Sequence, residues 1–240
     1  MHDKEFLVIS EIEKENWWFR ARRELVARLI KEEKCKNILD VGCGTGGNAA
    51  YFSAFARTTG LEKNEYAASL GREKGTNVVT GDACWMPFMD GEFDAVLFLD
   101  VLEHIENEKM CLSECRRVLE QGGRIIITVP ANKWMFSDYD RKLGHLRRYG
   151  KKELEGLVGK YFKVKECFYW NSIILPFEAL RRRLPGVRKN ASEQLRTGKV
   201  INSILYSILS FENFLAGIGL HFPFGISIIL VGEKDEEKAG

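Results

Sequence analysis

Residue types suited to cofactor chemistry are concentrated in a glycine-rich turn, DVGCGTGG, which begins at Asp40. Glycines between an apolar strand and a helix let the chain turn sharply and let a ligand lie against the main chain. Gly42, Gly44 and Gly47 satisfy the dinucleotide-binding pattern G-x-G-x-x-G. Glu62 follows Gly42 by 20 residues, the spacing of a ribose-binding acid in that pattern. The turn alone is therefore compatible with NAD as well as with another nucleoside cofactor.

Two further carboxylates follow apolar stretches that are typical of strands. Asp82, with Ala83 after it, comes after the third predicted strand and could accept a hydrogen bond from an adenine amino group. Asp100 opens the segment DVLEHI directly after the fourth predicted strand, FDAVLFL. Capping of a helix is the alternative role of Asp82 and of Asp100.

Strand and helix patterns alternate along most of the chain, and these elements must position the carboxylates. Apolar stretches predict strands at 37–41, 57–61, 77–80, 93–99, 124–129, 163–169 and 225–231. Helical patterns occupy 11–34, 46–55, 64–74, 106–119 and 151–159. This alternation predicts an α/β fold with a Rossmann-like, doubly wound, seven-stranded and mostly parallel sheet. Ligands of such sheets bind at the carboxyl ends of the strands.

The pattern predicts four regions. Residues 1–35 form an N-terminal helical cover, and residues 36–170 form the cofactor-binding core. Residues 171–222 form a helical cap inserted before the last strand, and residues 223–240 contain that strand and a charged tail.

The turn D-x-G-x-G-x-G beginning at Asp40, the pair Asp82-Ala83 and the segment DVLEHI together resemble class I S-adenosylmethionine-dependent methyltransferases. The resemblance covers about residues 36–170. Within the class, DVLEHI, RRVLEQGGRIIITVP and GHLRRY resemble the small-molecule branch that includes ubiquinone-biosynthesis-type enzymes. The resemblance implies S-adenosylmethionine as cofactor and methyl transfer by in-line displacement.

The resemblance also implies which residues contact the nucleoside and methionine parts of the cofactor. Gly42 and Gly44 would pass beside the methionine part. Glu62 would hold the ribose hydroxyls, and Asp82 would accept from the adenine amino group with Ala83 beside it. For Glu62, a solvated position at the start of a helix is the alternative.

Three more charged groups are assigned to the cationic end of the cofactor. Asp100 would lie near the sulfonium, while Asp40 would order the glycine loop or reach the cofactor amino group through water. A sulfonium and an ammonium favour such carboxylates. Arg22 would pair with the cofactor carboxylate, and Trp18 lies four residues earlier on the same helical face. The alternative for this aromatic and basic helix is core packing with a solvated basic face.

Two histidines are candidate catalytic groups. A base is needed only when the acceptor carries a proton that must leave. His104, beside Glu103, directly follows the fourth strand, and His145 lies in the charged and aromatic loop 138–149 after the fifth strand. Packing against the next helix explains His104 equally well, and surface ion pairs explain His145 equally well.

The cap suggests what the acceptor is. Seven basic residues and one acid lie between Arg181 and Lys199, with apolar segments at 173–184 and 200–220. Apolar faces beside cations favour peripheral contact with an anionic membrane through 173–220 and a small, lipid-like or lipid-linked acceptor. Packing on the sheet or in a homodimer is the alternative. The apolar run 214–231 is not expected to span a membrane because glycines and a proline interrupt it.

Composition excludes several classes of protein. The 240 residues carry 36 Lys and Arg against 34 Asp and Glu, so a nucleic-acid partner is not expected. The absence of a secretory pattern and of Cys-x-x-Cys pairs predicts a cytoplasmic location with reduced thiols, and no metal site is expected. Three alternatives stay open: an NAD-linked oxidoreductase, an RNA methyltransferase and a binding subunit without transferase activity.

Overall fold

The structure is a computed structural model that describes residues 3–183 and 197–236. Seven strands form one sheet: β1 Asn37–Val41, β2 Arg57–Glu62, β3 Val78–Thr80, β4 Phe93–Leu99, β5 Leu119–Pro130, β6 Lys163–Trp170 and β7 Ser227–Glu233. The α-helices of the described residues are α1 Asp3–Ile12, α2 Trp17–Glu32, α3 Gly47–Phe52, α4 Glu65–Glu73, α5 Glu108–Val118, α6 Asp138–Leu143, α7 Lys151–Val158, α8 Leu175–Arg183 and α9 Lys199–Gly217. Short 3₁₀ turns occupy Leu102–His104 and Lys133–Met135.

The sheet has the strand order β3-β2-β1-β4-β5-β7-β6. Strands β1 to β5 pair in parallel, whereas β7 runs antiparallel to both β5 and β6. The order reverses between β1 and β4, so the carboxyl ends of these two strands flank the switch point where such sheets bind ligands. The predicted fold class is confirmed.

Apolar side chains cover both faces of the sheet because successive residues of a strand point to opposite sides. On one face, Leu39 and Phe98 pack in a cluster with residues of α5 and α7. On the other face, Ile38 and Leu97 pack with residues of α2 and with Leu209 of α9. The cap helix α9 therefore belongs to the helical layer that also contains α2.

The N-terminal helix predicted over 11–34 is in fact two helices, α1 and α2. The backbone leaves the helical path at 13–16, and the Asn16 side chain caps α2 by accepting from Trp18 N at 2.9 Å. Asparagine is a favoured N-cap because its side-chain oxygen satisfies an unpaired backbone N–H. As a result, the segment between the helices is free to cross the carboxyl edge of the sheet.

Three other predictions about the elements are wrong. The helix predicted over 106–119 ends at Val118, and β5 begins at Leu119, five residues before the predicted strand 124–129. The predicted loop 138–149 contains the short helix α6, whose N-cap Ser137 and third residue Asp140 form a capping box. The last strand lies at 227–233, two residues later than predicted.

Candidate functional site

Glu62, at the end of β2, anchors the glycine-rich loop. Its Oε2 accepts from Gly44 N at 2.9 Å, and its Oε1 accepts from Asn64 N at 2.8 Å. Each carboxylate oxygen can accept more than one hydrogen bond, so the group can also take ribose hydroxyls. Gly42 has φ +65, and a Cβ there would lie 2.7 Å from Cγ2 of Val101. Glycine is therefore required at this position for both conformation and space.

Glu13, in the segment between α1 and α2, covers the same loop. Its Oε1 accepts from Thr45 Oγ1 at 3.1 Å, and its carboxylate lies where a Cβ on Gly47 would be. Arg23, which is itself buried, donates to the Glu13 carbonyl at 2.6 Å and holds this segment in place. Burial raises the pKa of Glu13. Sequence reasoning missed this residue because it placed residue 13 inside one continuous helix.

Asp40, in β1, is an almost fully enclosed acid at the centre of the site. The residue is 1% exposed, and its Oδ2 has no hydrogen-bond partner among the described residues. Burial raises the pKa of Asp40 to about 7, against an opposing effect of Arg22. A buried acceptor without a partner is costly, and a cationic donor placed in the site would satisfy it.

Arg22 and Asp100 meet directly across the switch point. The Arg22 guanidinium forms an ion pair with the Asp100 carboxylate and donates to the Leu99 carbonyl at 3.2 Å. It also lies 4.4 Å from the centre of the Trp18 ring, within cation–π distance. Thr128 of β5 donates to Asp100 Oδ2 at 3.1 Å. The basic face of α2 was expected to be solvated in the alternative reading, but Arg22 and Arg23 are buried.

Asp82 lies after β3, at the far side of the loop. Its Oδ1 accepts from Cys84 N at 2.8 Å, and its Oδ2 pairs with the exposed Lys63 ammonium at 2.8 Å. The hydrogen bond from Lys63 is the main cause of the lowered pKa of Asp82. Ala83 next to it is half-buried. Because the Lys63 stem is flexible and solvated, an adenine amino group can replace it on this carboxylate.

The two predicted catalytic histidines are in contact. The rings of His104 and His145 meet edge to face with centroids 4.8 Å apart, although they come from separate segments. His104 Nδ1 lies 3.0 Å from the Gly144 carbonyl oxygen. Desolvation of the His104 imidazole, together with the neighbouring His145, lowers its pKa to about 4, although part of the residue is exposed to solvent. His104 is therefore a neutral imidazole at physiological pH.

Asp140, in α6, holds the side chains next to His145 in place. Its Oδ1 accepts from Arg148 Nε at 2.8 Å and lies 3.3 Å from His145 Nδ1. Its Oδ2 accepts from the backbone and hydroxyl of Ser137, both at 2.9 Å. Burial opposes the charge of Asp140, but the hydrogen bonds from His145 and Arg148 hold its pKa below its usual range. Sequence reasoning missed Asp140, and the Ser137-x-x-Asp140 capping signal could have indicated its burial.

Comparison with known proteins decides how the glycine turn is used. Residues 39–127 match the family described as methyltransferase domain. A probable S-adenosylmethionine-dependent methyltransferase of Mycolicibacterium smegmatis is 30% identical over 132 residues, which cover 54% of this chain and 51% of that protein. The chain contains a class I S-adenosylmethionine-dependent methyltransferase domain. The NAD alternative is thereby disfavoured, and S-adenosylmethionine is the cofactor of this domain.

Two further similarities complete the comparison of the methyltransferase domain. A fatty-acid O-methyltransferase of Mycolicibacterium smegmatis is 34% identical over 115 residues, which cover 45% of this chain and 42% of that protein. The chain spans about half the length of the curated relatives that it matches. A putative sarcosine dimethylglycine methyltransferase from Galdieria sulphuraria superposes with TM-score 0.61 at 15% identity, covering 90% of this chain and 86% of that one. At this low sequence identity, the superposition with the Galdieria sulphuraria protein is evidence for the fold alone.

The residues of the methyltransferase domain fit this cofactor. The unpartnered Oδ2 of Asp40 and the carboxylate of Asp100 lie where positive charge is expected. A Cβ on Gly44 would have no neighbour within 4 Å, so the loop leaves open space beside its backbone. Glu62 and Asp82 continue the row of acids along the carboxyl ends of β2 and β3.

Proposed function

We propose that the chain is an S-adenosylmethionine-dependent methyltransferase that acts on a small, lipid-like acceptor at a membrane surface. One observation carries the activity: acids occupy the carboxyl ends of four adjacent parallel strands, at Asp40, Glu62, Asp82 and Asp100, around a loop that a side chain would obstruct. Glu62 and Asp82 suit hydroxyl and amino donors, and Asp40 and Asp100 suit cations.

Methyl transfer needs little from the protein except position and exclusion of water. When bound, S-adenosylmethionine supplies an activated methyl group: the bond from methyl carbon to the acceptor forms as the carbon–sulfur bond breaks, leaving neutral S-adenosylhomocysteine. Arg22 and Asp100 orient the charged end, and the segment around Glu13 closes the loop from solvent. Where the acceptor carries a proton, His104 is the candidate base, and His145 lies beside it.

Calorimetric titration of S-adenosylmethionine into wild-type protein tests cofactor use. We expect Asp100→Asn and Glu62→Gln each to weaken binding about 10-fold or more, since each removes a charge-assisted interaction of about 1.5–3 kcal/mol. Glu120→Gln, an exposed acid on β5, is the matched control and should bind like the wild type. No binding by folded wild-type protein would contradict the proposed activity.

The acceptor side is tested with the methyl-labelled cofactor and lipid extract or total RNA as acceptor pools. Label in the lipid fraction supports the proposal, whereas label in RNA would favour the RNA methyltransferase alternative. The printed name of the fatty-acid O-methyltransferase relative supports starting with lipids. If His104 is a base, His104→Gln lowers the transfer rate about 100-fold or more and leaves cofactor affinity unchanged.

The membrane part of the proposal rests on the outer surface of the cap. Phe177 of α8 and Ile204, Phe211 and Phe214 of α9 are each more than half exposed. Of the two charged residues of α9, Lys199 lies at its start and Glu212 is buried, so the remaining exposed face of this helix is uncharged. A soluble helix normally presents charges on its exposed side, and an uncharged, aromatic face suits the acyl boundary of a bilayer.

Helix α9 is long and apolar enough to cross a membrane by length and composition, with 11% of its apolar window buried. Its inner side, however, is tied to the protein by polar contacts. Asn213 Nδ2 donates to the Ala21 carbonyl at 2.8 Å, and Tyr206 donates to Glu24 of α2 at 2.6 Å. These contacts support a helix that lies flat on the bilayer with its outer face inserted. The basic residues of the connecting sequence 181–199 would add attraction to anionic lipids.

Vesicle flotation tests this orientation. We expect wild-type protein to float with vesicles of anionic and zwitterionic phospholipids, and the double variant Ile204→Glu and Phe211→Glu to stay in solution. Met89→Glu changes an exposed apolar residue between β3 and β4 and is the matched control. Equal flotation of the double variant would refute contact through α9, and a concentration-dependent dimer that the same variant dissociates would favour a homodimer instead.

A further inference from the structure

Glu103, His104 and His145 each bring a possible metal-ligating atom to within 4.8 Å of the other two. Glu103 and His104 lie in the 3₁₀ turn after β4, and His145 follows α6. Nε2 of His145 is 3.9 Å from Oε1 of Glu103. The backbone joins the two segments as well, because Leu146 N donates to the Glu103 carbonyl at 2.9 Å. The three ligands are thus held together by the fold, whereas the scattered cysteines of the sequence led us to expect no metal site.

The partners of the two imidazoles determine which ring nitrogen is free. A carbonyl oxygen can only accept, so the contact of His104 Nδ1 with the Gly144 carbonyl at 3.0 Å requires a proton on Nδ1. The ionised Asp140 carboxylate likewise accepts from His145 Nδ1 at 3.3 Å. In a neutral imidazole the other nitrogen, Nε2, then carries the lone pair. Metal-bound histidines in proteins are oriented in this way by a carboxylate or a carbonyl behind them.

Glu103 independently indicates that something belongs between the three side chains. The residue is fully buried, and both carboxylate oxygens lack a hydrogen-bond partner among the described residues. An acid without partners in an enclosed position is strongly disfavoured unless a ligand satisfies it. A divalent cation held jointly by the carboxylate and two imidazoles removes that penalty.

We propose that Glu103, His104 and His145 form a binding site for a divalent transition metal, with Zn²⁺ as the reference ion. Two histidines and one carboxylate with an open position form a common ligand set for Zn²⁺ and for non-haem iron. Ligand atoms about 2.1 Å from a tetrahedral Zn²⁺ lie about 3.4 Å from one another, so the side chains need to close by little more than 1 Å. His104 is exposed and can make this movement.

The site also suggests a narrower acceptor class, and this part rests on the proposed function. Glu103 lies three residues after Asp100, in the turn that directly follows β4 at the switch point of the sheet. The open coordination position therefore borders the place where an acceptor must approach, and hard oxygen ligands suit it. The acceptor would be a hydroxyl compound whose pKa the metal lowers. In that arrangement His104 is a ligand, and no separate protein base is needed.

Metal binding is tested on the full-length protein after removal of metals with a chelator. Titration with Zn²⁺, and with Co²⁺ as a spectroscopic probe, should show one bound equivalent and a visible Co²⁺ absorption band. His104→Gln and His145→Gln should each lose the band and weaken Zn²⁺ binding more than about 10-fold. Asp140→Asn removes the carboxylate that orients His145 without being a ligand itself, and should weaken binding about 10–100-fold and keep a shifted band. His221→Gln, a histidine stacked on Phe168, is the control and should bind like the wild type.

Absence of a bound equivalent in the wild type, or full binding by both histidine variants, would overturn the proposed site. Calorimetric titration with S-adenosylmethionine on the same samples separates this result from the proposed function. Loss of cofactor binding with metal binding intact refutes the methyltransferase proposal alone. Loss of metal binding with cofactor binding intact refutes the metal site alone.

Discussion

Replacing Asp40 by Asn should stabilise the protein at neutral pH while weakening cofactor binding. Burial raises the pKa of Asp40 from the ordinary 3.8 to about 7. The folded protein therefore keeps this proton to near neutrality, whereas the unfolded chain loses it in acid. The stability associated with the proton is fully present below the unfolded pKa and is lost as the pH rises through the folded pKa. The shift of about three pKa units at ~1.4 kcal/mol each makes the ionised carboxylate about 4 kcal/mol unfavourable.

Urea unfolding without cofactor, from about pH 5 to about pH 8, measures this effect. Between about pH 5 and pH 8 the free energy of unfolding of wild-type protein should fall by roughly 2.5 kcal/mol relative to Asp40→Asn, with most of the fall below pH 7. Glu120→Gln should keep the wild-type profile, since that acid is exposed. The reasoning fails if Asp40→Asn has the wild-type pH slope or is less stable at every pH.

Three further substitutions probe the loop, the cap and the cation contact. Gly42→Ala should lower the free energy of unfolding by about 1–3 kcal/mol in urea and abolish cofactor binding in calorimetry. The reason is that φ is +65 at this position and that Val101 blocks a Cβ. Unchanged cofactor binding would refute the required conformation. Glu212→Ala should cost about 1–3 kcal/mol in the same assay, since Ser172 N loses its acceptor at 2.9 Å, and a neutral effect would mean that the cap is not anchored there. Trp18→Leu should weaken cofactor binding several-fold in calorimetry through a less ordered Arg22 guanidinium, whereas a loss confined to stability would indicate packing alone.

The strands and their acids were predictable because they depend on local sequence. A run such as FDAVLFL is apolar on both faces, which only a strand buried in a covered sheet can accommodate. Once the strands are parallel, an acid directly after each one must lie at the same edge, so the neighbourhood of Asp40 and Asp100 follows from position alone. The prediction that Trp18 and Arg22 share a face is confirmed for the same reason: the helical period determines it.

The contacts that the sequence did not reveal all join distant segments. Lys63 forms an ion pair with Asp82, and Glu13 covers the glycine loop. Glu103 likewise lies close to His145. Tertiary packing alone brings each of these pairs together. Local patterns contain no information on such pairs. The separation of α1 from α2 is an intermediate case, since Asn16 before two tryptophans is a recognisable N-cap.

The charges at the switch point are balanced only when a cation is present. Asp40 and Glu13 are both buried, and burial is the largest cause of the raised pKa of each. The guanidinium of Arg22, whose charge opposes both shifts, already forms an ion pair with Asp100. Without cofactor, burial therefore favours the protonated forms of both acids. A ligand with a sulfonium and an ammonium favours their ionised forms, so cofactor binding and proton release must be linked. The buried acids thus act against stability in the free protein and in favour of affinity in the complex.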